Sequence, residues 1–335
     1  MTTALPEDQR LVGLSSKAYE HPADRAATAA LKSIPMLETV VRKLIEYGYE
    51  RALRQQFLAA SVKLGEDQLP RTWADWNAVC ARLDLPERYD LYLTQYPFAN
   101  AAAIGAGTPM VVLNSRCVEL FDTQEQRTVL GHEAGHILSD HVLYRTALLV
   151  LLQLSGAARL PFIAGLPLLA VTLALLEWYR AAELSADRAA TLVNRDPLVT
   201  CRTMMVLAGG VQARKLDLDA FIRQANDYDD WSSGWDRLNR MRAQLTLTHS
   251  YPVRRVKEIT AWVQSGEYDR IVGGEYPTRD QQADARKEAG DAVEFYKERF
   301  RKIFNEFGVD RVQERAADAA GRLSDWLKPR NNDSE

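Results

Sequence analysis

The chain has 335 residues, which is enough for one large domain or two domains of ordinary size. Its 42 Lys and Arg residues nearly balance its 45 Asp and Glu residues, so the net charge of −3 argues against a nucleic-acid-binding protein with a basic surface. Hydrophobic residues at 47% and charged residues at 26% are typical of a folded rather than a disordered protein. Three of the five histidines, His132, His136 and His141, lie within ten residues of one another.

The cysteines and the N-terminal residues bear on the compartment. Cys80, Cys117 and Cys201 are far apart and odd in number, and they form no CxxC pair. This usage predicts a reducing compartment rather than a disulfide framework or a thiolate zinc site. The first ten residues lack the basic and apolar segments of a secretory signal, so we expect a cytoplasmic protein.

Residues 1–84 are predicted to form an N-terminal helical region. Apolar side chains recur at helical spacing from Met36 to Leu64, which predicts one long amphipathic helix with a break near Gly48. A shorter helix is predicted over residues 71–83.

Two strands are predicted after this region. Tyr89–Thr94 alternates in character, and Pro109–Asn114 is a short apolar run. Small residues fill positions 100–107 between them. These strands and the helices that follow predict an α+β core domain over residues 85–265 that is mostly helical and contains a small sheet.

The next helix is predicted from Thr123, whose hydroxyl can cap the first turn together with Gln126, to about Leu143. It carries the pattern HExxH, with His132 and His136 at positions i and i+4. Both imidazoles therefore lie on one face and can reach one metal ion. Zinc suits imidazole ligands and leaves a position open for water, and Glu133 beside it can accept a proton from that water. Two ordinary histidines next to a glutamate are the less favoured alternative.

A catalytic zinc ion needs a third protein ligand. His141 follows His132 by nine residues, which places it about 180° away on a continued helix, facing away from the metal. The longer pattern HExxHxxGxxH is absent, because Ser139 and Val142 stand where it requires glycine and histidine.

A carboxylate on a later helix, predicted over residues 177–194, is the remaining candidate for the third ligand. Glu183 can bind the metal, and Asp187, one turn further on, can accept a hydrogen bond from a ligand histidine and fix its tautomer. Glu177 is an alternative ligand.

The most apolar part of the chain lies between the two predicted zinc helices. Two uncharged runs, over residues 147–158 and 160–176, are separated by Arg159 and Pro161 and predict a helical hairpin inserted at 147–176. The second run has 17 residues, at the low edge of what spans a bilayer. Burial in the protein and contact with a membrane surface or bilayer both remain open.

The C-terminal part of the chain is predicted to be helical and charged. Helices are expected over Asp217–Leu245 and Arg254–Ser265, and residues 266–335 are predicted to form a helical extension.

Two of these segments resemble a known family. The HExxH helix with a second histidine nine residues after the first, followed by Glu183-Leu184-Ser185-Ala186-Asp187-Arg188, resembles the gluzincin zinc metallopeptidases and, more specifically, the HtpX-like and CAAX prenyl protease family. The stretch from Asn100 to Leu113 is similar to the edge-strand region of this family. Residues 248–255 resemble its Thr-His-Pro…Arg loop, although Ser250 stands where the family has proline. The resemblance covers roughly residues 85–260.

The resemblance implies a mostly helical, zincin-like α+β domain with a small edge sheet. It further implies a zinc-dependent endopeptidase that acts on protein or peptide substrates; a non-catalytic scaffold and a zinc hydrolase of other bonds are the alternatives. The implied site comprises one zinc ion bound by His132, His136 and Glu183, the general base Glu133, Asp187 behind the ligands, His249 and Arg255 (or Arg254) near the oxyanion, and Asn100, Ala101, Ala102 and Ala103 along the substrate.

Overall fold

Helices make up most of the chain that the computed structural model describes, which comprises residues 9–34, 37, 41, 48–105, 107–156, 166–228, 251–281 and 290–306. The expected α+β class with a small sheet is confirmed. The helices are α1 (Pro22–Lys32), α2 (Tyr49–Ala60), α3 (Pro70–Arg82), α4 (Ser115–Leu120), α5 (Thr123–Leu138), α6 (Val142–Gly156), α7 (Leu166–Asn194), α8 (Pro197–Gly209), α9 (Leu218–Asp227), α10 (Pro252–Gln264), α11 (Glu267–Val272) and α12 (Gly290–Glu306).

The sheet has four strands in the order β1-β2-β4-β3, where β1 is Ser61–Lys63, β2 is Asp90–Thr94, β3 is Ala101–Ile104 and β4 is Met110–Asn114. The central strands β2 and β4 are parallel, and each outer strand is antiparallel to its neighbour. Strand β3 therefore forms one edge of the sheet, within the stretch of small residues, and pairs Ala101 with Leu113 and Ala103 with Val111.

The prediction of one helix continuing to Leu64 is wrong at its C-terminal end. Helix α2 ends at Ala60, and Ser61 has an extended backbone. Val62 then pairs with Leu93 of β2. The apolar spacing was compatible with a helix, but β-branched Val62 also suits a strand, and pairing with β2 decides the outcome.

The apolar insertion is helical on both sides, because α6 contains residues 147–156 of its first run and α7 begins within the second. The described apolar side chains of both runs are buried in one core cluster or, like Leu149 and Leu152, packed against it, and the N-terminal α1 and the C-terminal α12 also contribute to this cluster. In the described part of the chain, no helix combines the length and apolar composition needed to cross a membrane. Membrane contact through residues 147–176 stays a prediction.

The two ends of the described chain pack against each other. Helix α12 lies on α1, and its Phe300 and Ile303 are buried in the same core as α7. Near a second core cluster, Asp84 accepts hydrogen bonds from the Gly13 N–H and from Arg279. The boundaries expected after residues 84 and 265 stay predictions.

Candidate metal centre

Helix α5 carries both histidines of the HExxH pattern, and its start is fixed by a capping box. Asp122, rather than Thr123, is the N-cap; its carboxylate accepts from the Glu125 N–H, and the Glu125 carboxylate accepts from the Asp122 N–H. The predicted cap was therefore one residue late, because aspartate caps a helix as well as threonine does. From this start, His132 and His136 lie on one face with their Nε2 atoms 3.2 Å apart.

Close packing of α5 against α7 brings the third ligand to this face. Two glycines of α5 make the approach close enough. A Cβ atom on Gly131 would lie 2.7 Å from Val193 Cγ2, and one on Gly135 would lie 2.6 Å from the Ala189 Cβ and 3.2 Å from the Ala186 Cα. The two helices can therefore approach each other this closely only at positions where α5 has no side chain.

Replacing Gly135 with alanine should push α7 away from α5 and move Glu183 out of reach of the histidines. We expect the free energy of unfolding to fall by about 1–3 kcal/mol, as in other overpacked cores, and zinc affinity to fall with it. Urea denaturation and chelator competition measure the two effects. The control is Gly65→Ala, where a Cβ atom meets nothing within 4 Å. Equal zinc affinity in Gly135→Ala and wild type would contradict this account of the helix contact.

Three side-chain atoms converge between α5 and α7. The Glu183 Oε1 lies 3.1 Å from the His136 Nε2 and 3.4 Å from the His132 Nε2. All three residues are buried, and one ligand atom from each lies within 4.8 Å of the others. Two imidazole nitrogens and a carboxylate oxygen are a donor set that zinc takes in catalytic sites. Within the described ranges, no other group of His, Cys, Asp and Glu residues has this geometry.

The opposite edge of the His132 ring is held by Asp187. The His132 Nδ1–H donates to the Asp187 Oδ1 at 2.9 Å, so the Nε2 faces Glu183. Burial alone would lower the pKa of His132, but Glu183 and Asp187 raise it to about 9. A metal ion must displace this proton, because imidazole binds metals only in its neutral form.

Arg255 packs against Asp187. Its Nε donates to the Asp187 Oδ2 at 2.7 Å, and its Nη1 lies 3.7 Å from the Glu183 Oε2. Burial would raise the pKa of Asp187, but Arg255 and His132 hold it below its usual value. Arg255, rather than Arg254, is thus the arginine that reaches this centre, and it touches the residues that hold the ligands.

His141 is not in the metal-binding group, as predicted, but its predicted orientation away from the metal is wrong. Helix α5 ends at Leu138, and Asp140 adopts a left-handed backbone conformation with φ 57°. The chain therefore turns back, and the His141 Nδ1 comes to lie 3.0 Å from the His136 Nδ1. The predicted angle of about 180° between His132 and His141 applied only to a helix that continued to residue 141. The Ser139-Asp140 pair was a sequence signal for the turn, since aspartate tolerates this conformation better than most residues.

Glu133 is held by an arginine that the sequence did not single out. The Arg145 Nη1 donates to the Glu133 Oε2 at 2.6 Å, and the Ala103 N–H donates to the same oxygen at 2.6 Å. Burial would raise the pKa of Glu133, but Arg145 and the two ligand histidines lower it to about 2. In the described part of the chain no group donates to Oε1, which leaves that oxygen to accept from water.

One feature of the sequence could have identified Arg145. It is the only charged residue in the otherwise uncharged helix α6. It is also buried, and its guanidinium lies 5.5 Å from the centre of the Tyr179 ring, which in turn stacks on His136 at 5.9 Å. An arginine is rarely fully buried unless it is paired, so its position in an apolar run predicts a buried carboxylate partner.

The edge of β3 lies directly beside Glu133. The Ala103 N–H donates to Glu133, the Ala101 C=O accepts from the Arg145 Nη2 at 3.3 Å, and the Ala101 N–H donates to the Asn100 side chain at 2.9 Å. The stretch expected to bind substrate is therefore next to the candidate metal ligands, with its Ala103 N–H and Ala101 C=O bonded to Glu133 and Arg145.

A cavity of about 40 Å³ opens beside this edge. His132 and Glu133 line it together with Asn100, Ala101, Val129 and Met204. This is room for a few water molecules next to Glu133, since one water molecule needs about 10–15 Å³.

His249 lies outside the described residues. Glu177, the alternative ligand, forms ion pairs with Arg180 and with Arg299, the latter at 2.9 Å, and is not in the metal-binding group.

Comparisons with known proteins agree with this geometry. A sequence model of peptidase family M48 matches residues 74–263, which include all three ligand candidates. The chain is also 34% identical over 266 residues to the plastoglobule-localized metallopeptidase 48, chloroplastic, of Arabidopsis thaliana, covering 77% of this chain and 76% of that protein. No solved structure matches the chain.

Proposed function

The chain belongs to peptidase family M48, and on that premise we propose that it is a zinc-dependent endopeptidase. The family and the relative support a peptidase that acts on protein or peptide substrates. The observation that carries the finer proposal is the convergence of two imidazole nitrogens and one carboxylate oxygen next to a buried glutamate. This is the arrangement of His₂Glu zinc hydrolases.

His132, His136 and Glu183 are the residues that would hold the zinc ion. A bound zinc ion supplies Lewis acidity, which polarises the scissile carbonyl and makes water a better nucleophile near neutral pH. The fit is supported by the hydrogen bonds of the two histidines. Each uses its Nδ1 for a protein partner, Asp187 or His141, and so presents its Nε2 to the ligand cluster.

Glu133 is proposed as the general base and then the general acid. Its Oε2 is occupied by Arg145 and the Ala103 N–H, so Oε1 is the oxygen that takes the proton from water and returns it to the leaving amine. These two hydrogen bonds restrict rotation of the carboxylate. The restriction holds the carboxylate in place beside the cavity that Glu133 and His132 line.

We expect the substrate to bind as an extended strand along the edge of β3, near Asn100, Ala101, Ala102 and Ala103. Main-chain hydrogen bonds to an exposed edge are a common mode of peptide recognition. The pairing would require the Ala101 C=O to exchange the Arg145 Nη2 for an N–H group of the substrate. The Ala103 N–H and the Arg145 Nη1 would stay on the Glu133 Oε2.

Arg255 is proposed as a positioning residue rather than a group that contacts the oxyanion. Its hydrogen bond to Asp187 and its proximity to Glu183 support this role. For His249, stabilisation of the oxyanion stays a prediction from the family resemblance.

The test is incubation of the purified protein with casein, with and without phenanthroline, followed by mass spectrometry of the products. A zinc endopeptidase should produce internal fragments, lose activity with the chelator and regain it when zinc is restored. Zinc-loaded protein that leaves casein and a peptide library intact would indicate a binding scaffold or a hydrolase of other bonds. Cleavage that resists the chelator would contradict the role of zinc.

A further inference from the structure

A buried carboxylate from the N-terminal helix α1 lies behind the ligand His136. The His141 Nε2 is 2.9 Å from the Asp24 Oδ2, and the His141 Nδ1 is 3.0 Å from the His136 Nδ1. The three side chains thus form a continuous line from α1 to the ligand cluster. Asp24 lies outside residues 74–263, the part that matches the peptidase family.

This line is closed to solvent and each of its members is fixed by further contacts. Asp24, His141 and His136 are exposed by only 1%, 3% and 0%. Asp24 also accepts hydrogen bonds from the Ser185 hydroxyl at 2.6 Å and the Thr28 hydroxyl at 3.1 Å. Burial would raise the pKa of Asp24, but His141 and these two hydroxyls hold it below its usual value.

The hydrogen-bond directions follow from the acceptor at the end of the line. A carboxylate only accepts, so the His141 Nε2 carries hydrogen and donates to Asp24. In a neutral imidazole the other nitrogen is then an acceptor, so the His136 Nδ1–H donates to the His141 Nδ1. His136 is left with an Nε2 lone pair, directed at the atoms of Glu183 and His132.

We propose that Asp24 and His141 form a hydrogen-bonded pair that positions His136 for the metal, which makes the N-terminal helix part of the metal centre. The proposal rests on the zinc-binding function proposed above. Both ligand histidines then have a carboxylate behind them: Asp187 contacts His132 directly, whereas Asp24 reaches His136 through His141. Such partners orient a ligand ring and raise its basicity.

The test measures zinc affinity by competition with a chromophoric chelator, independently of peptidase activity. Asp24→Leu removes the acceptor and should weaken zinc binding about 10- to 100-fold, as loss of such a partner does in other metal sites. Asp24→Asn keeps an oxygen that can accept from the His141 Nε2 and should recover most of the affinity. His141→Phe should weaken binding as much as Asp24→Leu.

The double variant Asp24→Leu/His141→Phe separates this role from general support of the fold. The proposal has Asp24 act on the metal centre through His141, so the double variant should bind zinc no more weakly than His141→Phe alone. If the losses of zinc affinity in the two single variants add up in the double variant, the proposal is overturned.

The matched control is Asp84→Leu, which removes another carboxylate that holds the N-terminal segment, through Gly13, but has no contact with the ligands. It should lower the melting temperature and leave zinc affinity unchanged. The proposed role of Asp24 and His141 would be overturned if Asp84→Leu lost as much zinc affinity as Asp24→Leu. It would also be overturned if folded Asp24→Leu and His141→Phe lost none. A wild-type chain that binds no zinc would instead overturn the proposed function on which the pair depends.

Discussion

Replacing Glu133 with glutamine is expected to lower kcat for peptide hydrolysis by about 10²- to 10⁴-fold, the usual contribution of a general base. Glutamine has the same shape, and its oxygen can still accept from Arg145 and the Ala103 N–H. It cannot take a proton from water. Steady-state kinetics on a fluorogenic peptide, with zinc content measured on the same sample, tests this expectation.

Zinc content and KM should change little in this variant, because Glu133 is not one of the three ligand candidates. The matched control is Glu177→Gln, which alters another buried carboxylate, paired with Arg180 and Arg299 away from the centre. Its kcat should match that of the wild type. Full activity of Glu133→Gln would remove Glu133 from the mechanism.

Replacing Arg145 with methionine is expected to cause the largest loss of stability among single changes at the site. The change leaves the Glu133 carboxylate buried and without its charged partner. Removing one member of a buried ion pair typically costs about 3–5 kcal/mol, because the remaining charge is uncompensated. Urea denaturation at a fixed zinc concentration measures the change in the free energy of unfolding.

The double variant Arg145→Met/Glu133→Gln should be more stable than Arg145→Met alone, since it removes both charges. Arg127→Met is the control. Arg127 lies on the same helix as Glu133 and forms a comparably buried ion pair with Asp75 of α3 at 2.7 Å. Adding Glu133→Gln to Arg127→Met should recover no stability. If Glu133→Gln recovers stability in both the Arg145→Met and the Arg127→Met variant, or in neither, Arg145 and Glu133 are not coupled as their hydrogen bond suggests.

The local parts of the site could be predicted from the sequence. His132 and His136 share a face because one helix turn separates them, and this spacing holds wherever the helix packs. Glu183 and Asp187 have the same relation on α7. That these two helices meet was inferred from the need for a third ligand, and the family resemblance agreed with it.

The contacts that depend on tertiary packing could not be predicted in the same way. The orientation of His141 depends on where α5 ends, and one left-handed residue, Asp140, decides it. Asp24 and Arg145 reach the centre from α1 and α6, and no spacing in the sequence relates them to the motif. The isolated charge of Arg145 in an apolar helix showed that it needs a partner but not which one.

The central claim is that His132, His136 and Glu183 together bind one zinc ion. The most direct test is the zinc content of purified wild-type, Glu183→Ala and Glu177→Ala proteins after dialysis at one fixed free zinc concentration. We predict one zinc ion per chain in the wild type and in Glu177→Ala, and little zinc in folded Glu183→Ala. A wild-type protein without zinc, or a Glu183→Ala protein with the same zinc content as the wild type, would contradict the account.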